Sequence, residues 1–165
     1  MQALLDAHNK SAFRANASTM AVIQAADASG DFSKAVVAGI MTLGGKHAPL
    51  ESTYEFLVSY QKGDVAEYLA RGLKVPGWGG TFQKEDFDPL WNEVAERLMK
   101  FAPAIAARID LITTELFQAG KKIYPNPSVY TAGTALALRV PKKLIVCLFI
   151  IGRLTAWARL AAEYL

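Results

Sequence analysis

Apolar residues recur at three- and four-residue spacing along most of the chain, alanine fills many positions between them, and strand-like alternation is nearly absent. The pattern predicts an all-α fold, a multi-helix orthogonal bundle. Residues 16–27 read as an alanine-rich helix capped near Asn16 or Ser18, and 31–43 as a second that opens at Asp31 and ends at Gly44-Gly45. A third starts after Pro49 and runs to Gln61, a short fourth covers 64–72, and 88–101 and 103–120 give two more, the last stopped by Gly120. Lys121 to Tyr130 reads as an extended, proline-punctuated connection, and residues 131–139 and 143–164 close the chain as helices. Ala35, Ala38 and Gly39 form a small-residue surface that lets another helix approach closely. His8 falls in a short polar N-terminal stretch and receives no role.

The 165 residues, 52% of them hydrophobic, suffice for one compact body or half of a larger one. Eighteen basic and fifteen acidic residues leave a formal charge of +3 spread along the chain. That distribution argues against a nucleic-acid groove, which needs a concentrated basic face. The single Cys147 lies in the apolar run from Leu144 to Ile151 and reads as a small buried hydrophobe, in keeping with a reducing, cytoplasmic setting. Leu144 to Leu165 is the one transmembrane candidate, but Arg153, Arg159 and Glu163 interrupt it, so it reads as a buried helix with no membrane partner. The N-terminus shows no basic-then-apolar signal pattern. No His/Cys cluster has metal-ligand spacing and no Walker-type phosphate loop occurs, so no metal is expected.

Candidate chemistry centres on Lys74-Val75-Pro76-Gly77-Trp78-Gly79-Gly80-Thr81-Phe82, where glycines around one tryptophan let peptide groups touch a flat ring directly. Four landmarks in register resemble the C-terminal half of the citrate synthase family. Asn16-Ala17-Ser18-Thr19 reproduces the N-A-S-T that follows that family's H-x-D-H-E motif. Val37-Ala38-Gly39-Ile40 followed by Gly44-Gly45-Lys46-His47 is similar to its A-G-[IL]…G-P-x-H, and the glycine loop with Asp88-Pro89 to its V-P-G-[FY]-G-H…D-P-R. Tyr124-Pro125-Asn126-Pro127-Ser128-Val129-Tyr130-Thr131 resembles Y-P-N-V-D-F-Y-S, and Gly152-Arg153 the family's late serine-arginine pair.

The resemblance implies roles residue by residue. His47 matches the donor to a thioester carbonyl that is becoming an enolate, a contact worth about 3 kcal/mol in such sites; taken alone, it reads as a histidine satisfied at a helix start. Val75, Pro76, Gly77, Trp78 and Gly79 match the coenzyme A loop, with Lys84 in reach of a phosphate. The competing reading is a rigid turn with Trp78 filling the core. Arg153 could hold a carboxylate bidentately or pair with Glu163 or Glu115. Other positions depart from the family: its loop histidine is Gly80, its D-P-R arginine is Leu90, its catalytic aspartate aligns with Ser128 beside Tyr130, and its H-x-D-H-E aligns with Lys10-Ser11-Ala12-Phe13-Arg14. A neutral hydroxyl is a poor general base near pH 7.

Two functions follow. One is an enzyme that forms or cleaves a carbon–carbon bond in a coenzyme A thioester with a substrate other than oxaloacetate, using His47, Ser128, Tyr130, Gly80 and Arg153. The other is a non-catalytic coenzyme A-binding or structural subunit that completes a partner protein. By the resemblance, residues 1–43 are interface helices, 44–140 a small coenzyme A-binding region and 141–165 the C-terminal helix of a single domain. Only the family's C-terminal half is matched, so the apolar faces of residues 16–43 call for a homodimer or for a second polypeptide supplying the N-terminal half.

Overall fold

A computed structural model describes residues 1–44, 47–80 and 88–165. Those residues form α1 (Gln2–Ala12), α2 (Ala17–Ser29), α3 (Phe32–Met41), α4 (Leu50–Ser59), α5 (Asp64–Ala70), α6 (Asn92–Phe101), α7 (Pro103–Gln118), α8 (Pro127–Ala137) and α9 (Ile145–Ala162), with no strand among them. The chain divides into two compact units, Met1–Ala48 with Val146–Leu165, and Pro49–Ile145.

In the first unit the caps foreseen from sequence set the helix starts. The Asn16 side chain accepts from Thr19 N–H, and that of Asp31 from Lys34 N–H, so each satisfies a donor that a helix N-terminus leaves open. Gly30, at φ 58°, ends α2 and turns the chain into α3. The core is built of Ala12, Val22, Ala26, Ala35, Ala156, Trp157 and Ala161, small residues around one indole. Gly39 lies on the same face: a Cβ there would stand 2.5 Å from Val22 Cγ2 and 3.3 Å from Trp157 Cη2. The small-residue surface of α3 is therefore filled by the chain's own α2 and α9. What α2 and α3 leave in solvent is Met20, Phe32, Val37 and Met41.

α8 runs through the middle of the second unit, with every residue from Ser128 to Ala135 buried, and packs on α4, α6 and α7. Three expectations are corrected. The helix expected from 131 begins at Pro127, because Asn126 accepts from Ser128 N–H and proline suits a first helical position that needs no amide donor. The N-terminal stretch is helical: α1 buries Ala3, Leu4, Ala7, His8, Ser11 and Ala12 along one face. Cys147 is exposed rather than buried. With Ile151 and Leu154, and with Leu144 just before the helix, it recurs every three or four residues on the solvent side, whereas Phe149, Arg153, Ala156 and Trp157 face inward. The segment Lys142–Ala162 is long and apolar enough to cross a membrane by length and composition, and 44% of an apolar 18-residue stretch within it is buried in the fold.

Candidate functional site

His47 is anchored by its backbone: its N–H donates to Gly44 O at 2.9 Å and its carbonyl accepts from Gly44 N–H at 2.7 Å. Its half-buried ring meets Phe149 edge to face at 6.3 Å and places Nε2 3.2 Å from Ser18 Oγ. Burial, with the charge of Arg153 second, lowers its pKa below the ordinary imidazole value, so the ring is neutral at pH 7. The Ser18 hydroxyl has one proton and two acceptors in reach, Asn16 Oδ1 at 2.8 Å and His47 Nε2 at 3.2 Å. Asn16 Oδ1 already accepts from Thr19 N–H. With the Ser18 hydroxyl donating to Asn16 Oδ1, His47 carries its proton on Nε2 and donates to Ser18 Oγ; a hydroxyl turned onto Nε2 leaves Asn16 satisfied and puts the His47 proton on Nδ1, where it can be given to a ligand.

The next residue is strained. Ala48 has φ 52°, in the left-handed region that costs a residue with a Cβ about 1–2 kcal/mol. Ala48→Gly should therefore raise stability by about 0.5–1 kcal/mol once glycine's extra unfolded-state freedom is deducted. Urea unfolding checks it; a lower midpoint would mean that the alanine methyl stabilises this turn.

Arg153 is 3% exposed, with Nη2 donating to Ser11 Oγ at 2.8 Å and Cζ 4.3 Å from the Phe149 ring centre. Nε and Nη1 are buried and have no hydrogen-bond partner. Neither carboxylate considered from sequence holds it. Glu115, in the other unit, accepts from the Tyr60 hydroxyl at 2.8 Å and from Gly63 N–H, and Glu163 is exposed near the chain end. Burial pushes the guanidinium down to about 10, so it keeps its charge at pH 7. Among the described residues no carboxylate is paired with this buried cation, and its open donors are of the kind that hold an anion.

In the second unit the glycine loop is laced to the segment before α8. Gly79 N–H donates to Tyr124 O at 2.8 Å, Asn126 N–H to Gly77 O at 2.9 Å, and Asn126 Nδ2 to Gly79 O at 2.9 Å. Gly77 sits at φ 88° against Thr53 and Val129, and Gly79 and Gly80 also have positive φ. Trp78 is 5% exposed, donates its indole N–H to Thr113 Oγ1 at 2.9 Å and meets Phe56 edge to face. Its ring belongs to the core, so what the loop presents outward is the backbone of Gly79 and Gly80. Val75 is buried and Pro76 half-buried. Lys84 lies outside the described residues.

Ser128 occupies the second helical position of α8 and is 2% exposed. Tyr130 is buried with its ring stacked on Trp91 at 5.6 Å and 11°. Burial, then the charges of Asp110 and Asp88, raise its hydroxyl above the ordinary phenol value, so it can donate a proton but will not act as a base. An apolar cavity of about 180 Å³ opens beside Tyr130, Tyr124, Pro125 and Met99.

Sequence reasoning missed Ser18 as a partner of His47, and His8, Ser11 and Phe149 as neighbours of Arg153. Ser18 could have been found: it stands inside the Asn16–Thr19 landmark. The others lie on α1 and α9, at opposite ends of the chain, and no local pattern connects them. Among the described residues no group of three His, Cys, Asp or Glu is placed to hold a metal.

The model of the family described as citrate synthase, C-terminal domain, matches residues 12–164. The chain is 30% identical over 110 residues to citrate synthase 1 of Mycobacterium tuberculosis, a match covering 57% of this chain and 25% of that protein. The chain thus spans about a quarter of that curated relative's length. Among solved structures, citryl-CoA lyase from Hydrogenobacter thermophilus superposes with a TM-score of 0.82 at 26% identity, over 99% of this chain and 67% of that one. ATP citrate lyase from Methanothrix soehngenii, in complex with citrate and coenzyme A, superposes at 0.80 with 13% identity, over 98% of this chain and 30% of that one, a likeness of fold alone.

Proposed function

Since the chain belongs to the citrate synthase family, we propose that it forms or cleaves a carbon–carbon bond in a coenzyme A thioester of a carboxylic acid, with a reaction partner other than oxaloacetate. The observation that carries this reading is Arg153, a buried guanidinium with two nitrogens lacking acceptors, in the same unit as a neutral His47. The Val75–Gly80 backbone is the candidate for the thioester's nucleotide end, and Lys84 is carried over from the resemblance for a phosphate. Arg153 takes a carboxylate of the acid.

In the cleavage direction the bond between the thioester α-carbon and the carbinol carbon breaks. Its electron pair moves toward the thioester oxygen, where His47 Nδ1–H stabilises the enolate. The carbinol gives up its hydroxyl proton to become a carbonyl, and the enolate takes a proton at carbon, so atoms and charge balance. This direction needs no strong base at the α-carbon, which suits a chain with Ser128 in the place of the aspartate. Malyl-CoA, whose cleavage releases glyoxylate rather than oxaloacetate, is the first thioester to try, and the similarity to citryl-CoA lyase makes citryl-CoA, which would release oxaloacetate, the comparison substrate.

The test is titration calorimetry with coenzyme A and acetyl-CoA, followed by an assay of malyl-CoA cleavage, with citryl-CoA for comparison, by the native chain and by His47→Ala. Binding and a loss of turnover of about a hundredfold or more in the variant are expected; unchanged turnover would sink the assignment of His47. Acetyl-CoA with oxaloacetate should yield no citrate. The second reading, a coenzyme A-binding subunit without catalysis, draws on Ser128 standing where a base is needed and on Tyr130 being locked in the core. It predicts coenzyme A binding with no cleavage by the native chain. Homodimerisation, or assembly with a chain supplying further helices, belongs to either reading; sedimentation separates both from a monomer.

A further inference from the structure

We propose that His8 is a positioning residue for Arg153: packed against Phe149 and Gly152, it holds the guanidinium so that Nε and Nη1 remain open to a carboxylate of the substrate. The proposal rests on the reading of Arg153 as a carboxylate-binding group. It adds a residue outside the segment 12–164 that matches the family.

The geometry is specific to an imidazole at this place. His8 is fully buried on α1, and its ring meets that of Phe149 edge to face at 4.7 Å. The Arg153 Cζ lies 4.3 Å from the centre of the same Phe149 ring, so histidine and guanidinium share one aromatic support. Ser11, one turn after His8 on α1, accepts from Arg153 Nη2 at 2.8 Å. α1 thus presents two polar side chains, His8 and Ser11, on one face toward the Phe149–Arg153 face of α9. Gly152 completes the fit: a Cβ there would stand 2.5 Å from His8 Cβ and 3.1 Å from Cγ, so α1 reaches this depth only against glycine.

The choice of side chain matters for charge. A carboxylate in this place would neutralise Arg153 and occupy its donors, leaving nothing for a ligand. An imidazole fills a similar volume and stays neutral, because burial and the Arg153 charge both lower its pKa well below the ordinary value. It orders the guanidinium without consuming its charge. An apolar residue would fill the space and leave no polar edge beside the cation.

Citrate serves as the probe carboxylate, measured by titration calorimetry on the full chain at pH 7.5. The native protein is expected to bind citrate, and His8→Leu to bind it at least tenfold more weakly. His8→Gln, which keeps a polar edge, should recover most of that loss, and coenzyme A affinity should not change in either variant. A His8→Leu that binds citrate as well as native, or a Gln variant as weak as the Leu one, overturns the proposal, since packing alone would treat the two alike. If native binds no citrate, or Arg153→Met binds it as well as native, the reading of Arg153 falls first and takes His8 with it. Ring NMR of the native chain keeps the test decisive should the His8 variants unfold. The chain has two histidines, and the signal that survives in His47→Asn belongs to His8. Citrate should shift that signal; an unmoved His8 signal under saturating citrate overturns the proposal.

Discussion

Arg153→Met is expected to stabilise the protein while abolishing its binding of carboxylates. The guanidinium is 3% exposed and, among the described residues, no carboxylate pairs with it. Methionine removes the cost of burying an incompletely satisfied cation, which is several kcal/mol. It also removes the stacking on Phe149 and the hydrogen bond to Ser11, worth together about 2 kcal/mol. The balance favours the variant by about 1–2 kcal/mol. Urea unfolding followed by tryptophan fluorescence reads the stability term, and citrate calorimetry the binding term. A variant less stable than native would mean that the cation is satisfied in the folded state, and citrate binding retained would remove Arg153 from the site. Opposite signs in the two measurements are what a residue kept for a ligand at the expense of stability should give.

The second large effect is expected at the glycine loop. At Gly77 a Cβ would stand 2.6 Å from Thr53 Cγ2 and 2.7 Å from Val129 Cγ2, and the backbone is at φ 88°. Gly77→Ala therefore combines a left-handed penalty of about 1–2 kcal/mol with an overpacking cost of about 1–3 kcal/mol. A total loss near 3 kcal/mol is expected, with coenzyme A binding lost as the loop is pushed off α4 and α8. Gly72 supplies the matched control: its φ is 67° and a Cβ there meets nothing within 4 Å. Gly72→Ala should show the backbone term alone, about 1 kcal/mol, with coenzyme A binding intact. Equal losses at the two positions would mean that Thr53 and Val129 move aside without cost.

Where a helix begins with a capping side chain, its start was legible in the chain: Asn16 and Asp31 cap α2 and α3 as their residue types require. The start of α8 carried the same signal in Asn126-Pro127, yet the prolines around it read as an extended segment. The cap outweighed them because the ring of Pro127 pre-sets the dihedral of a first helical turn. α1 was missed because its apolar positions, Ala3, Leu4 and Ala7, are few and small. Its burial comes from α9, which no window over α1 can include. Cys147 failed for the opposite reason. An unbroken apolar run gives no period from which to tell a buried face from an exposed one.

The chain by itself determined the helical class, most caps and stops, and the glycines on which the Val75–Gly80 loop depends, because these follow from local backbone chemistry that travels with each residue. Its likeness to a family also marked His47 and Arg153 as residues of interest. Only the tertiary structure decided what those residues are. Arg153 and Ser11 lie 142 positions apart in sequence, and their contact exists only once α1 packs on α9. That packing leaves a cation buried with no paired carboxylate among the described residues and places an imidazole beside it, while the second unit's own packing puts Trp78 and Tyr130 into its core. Burial and charge are properties of surroundings, and for Arg153 and His8 the surroundings are assembled from both ends of the chain.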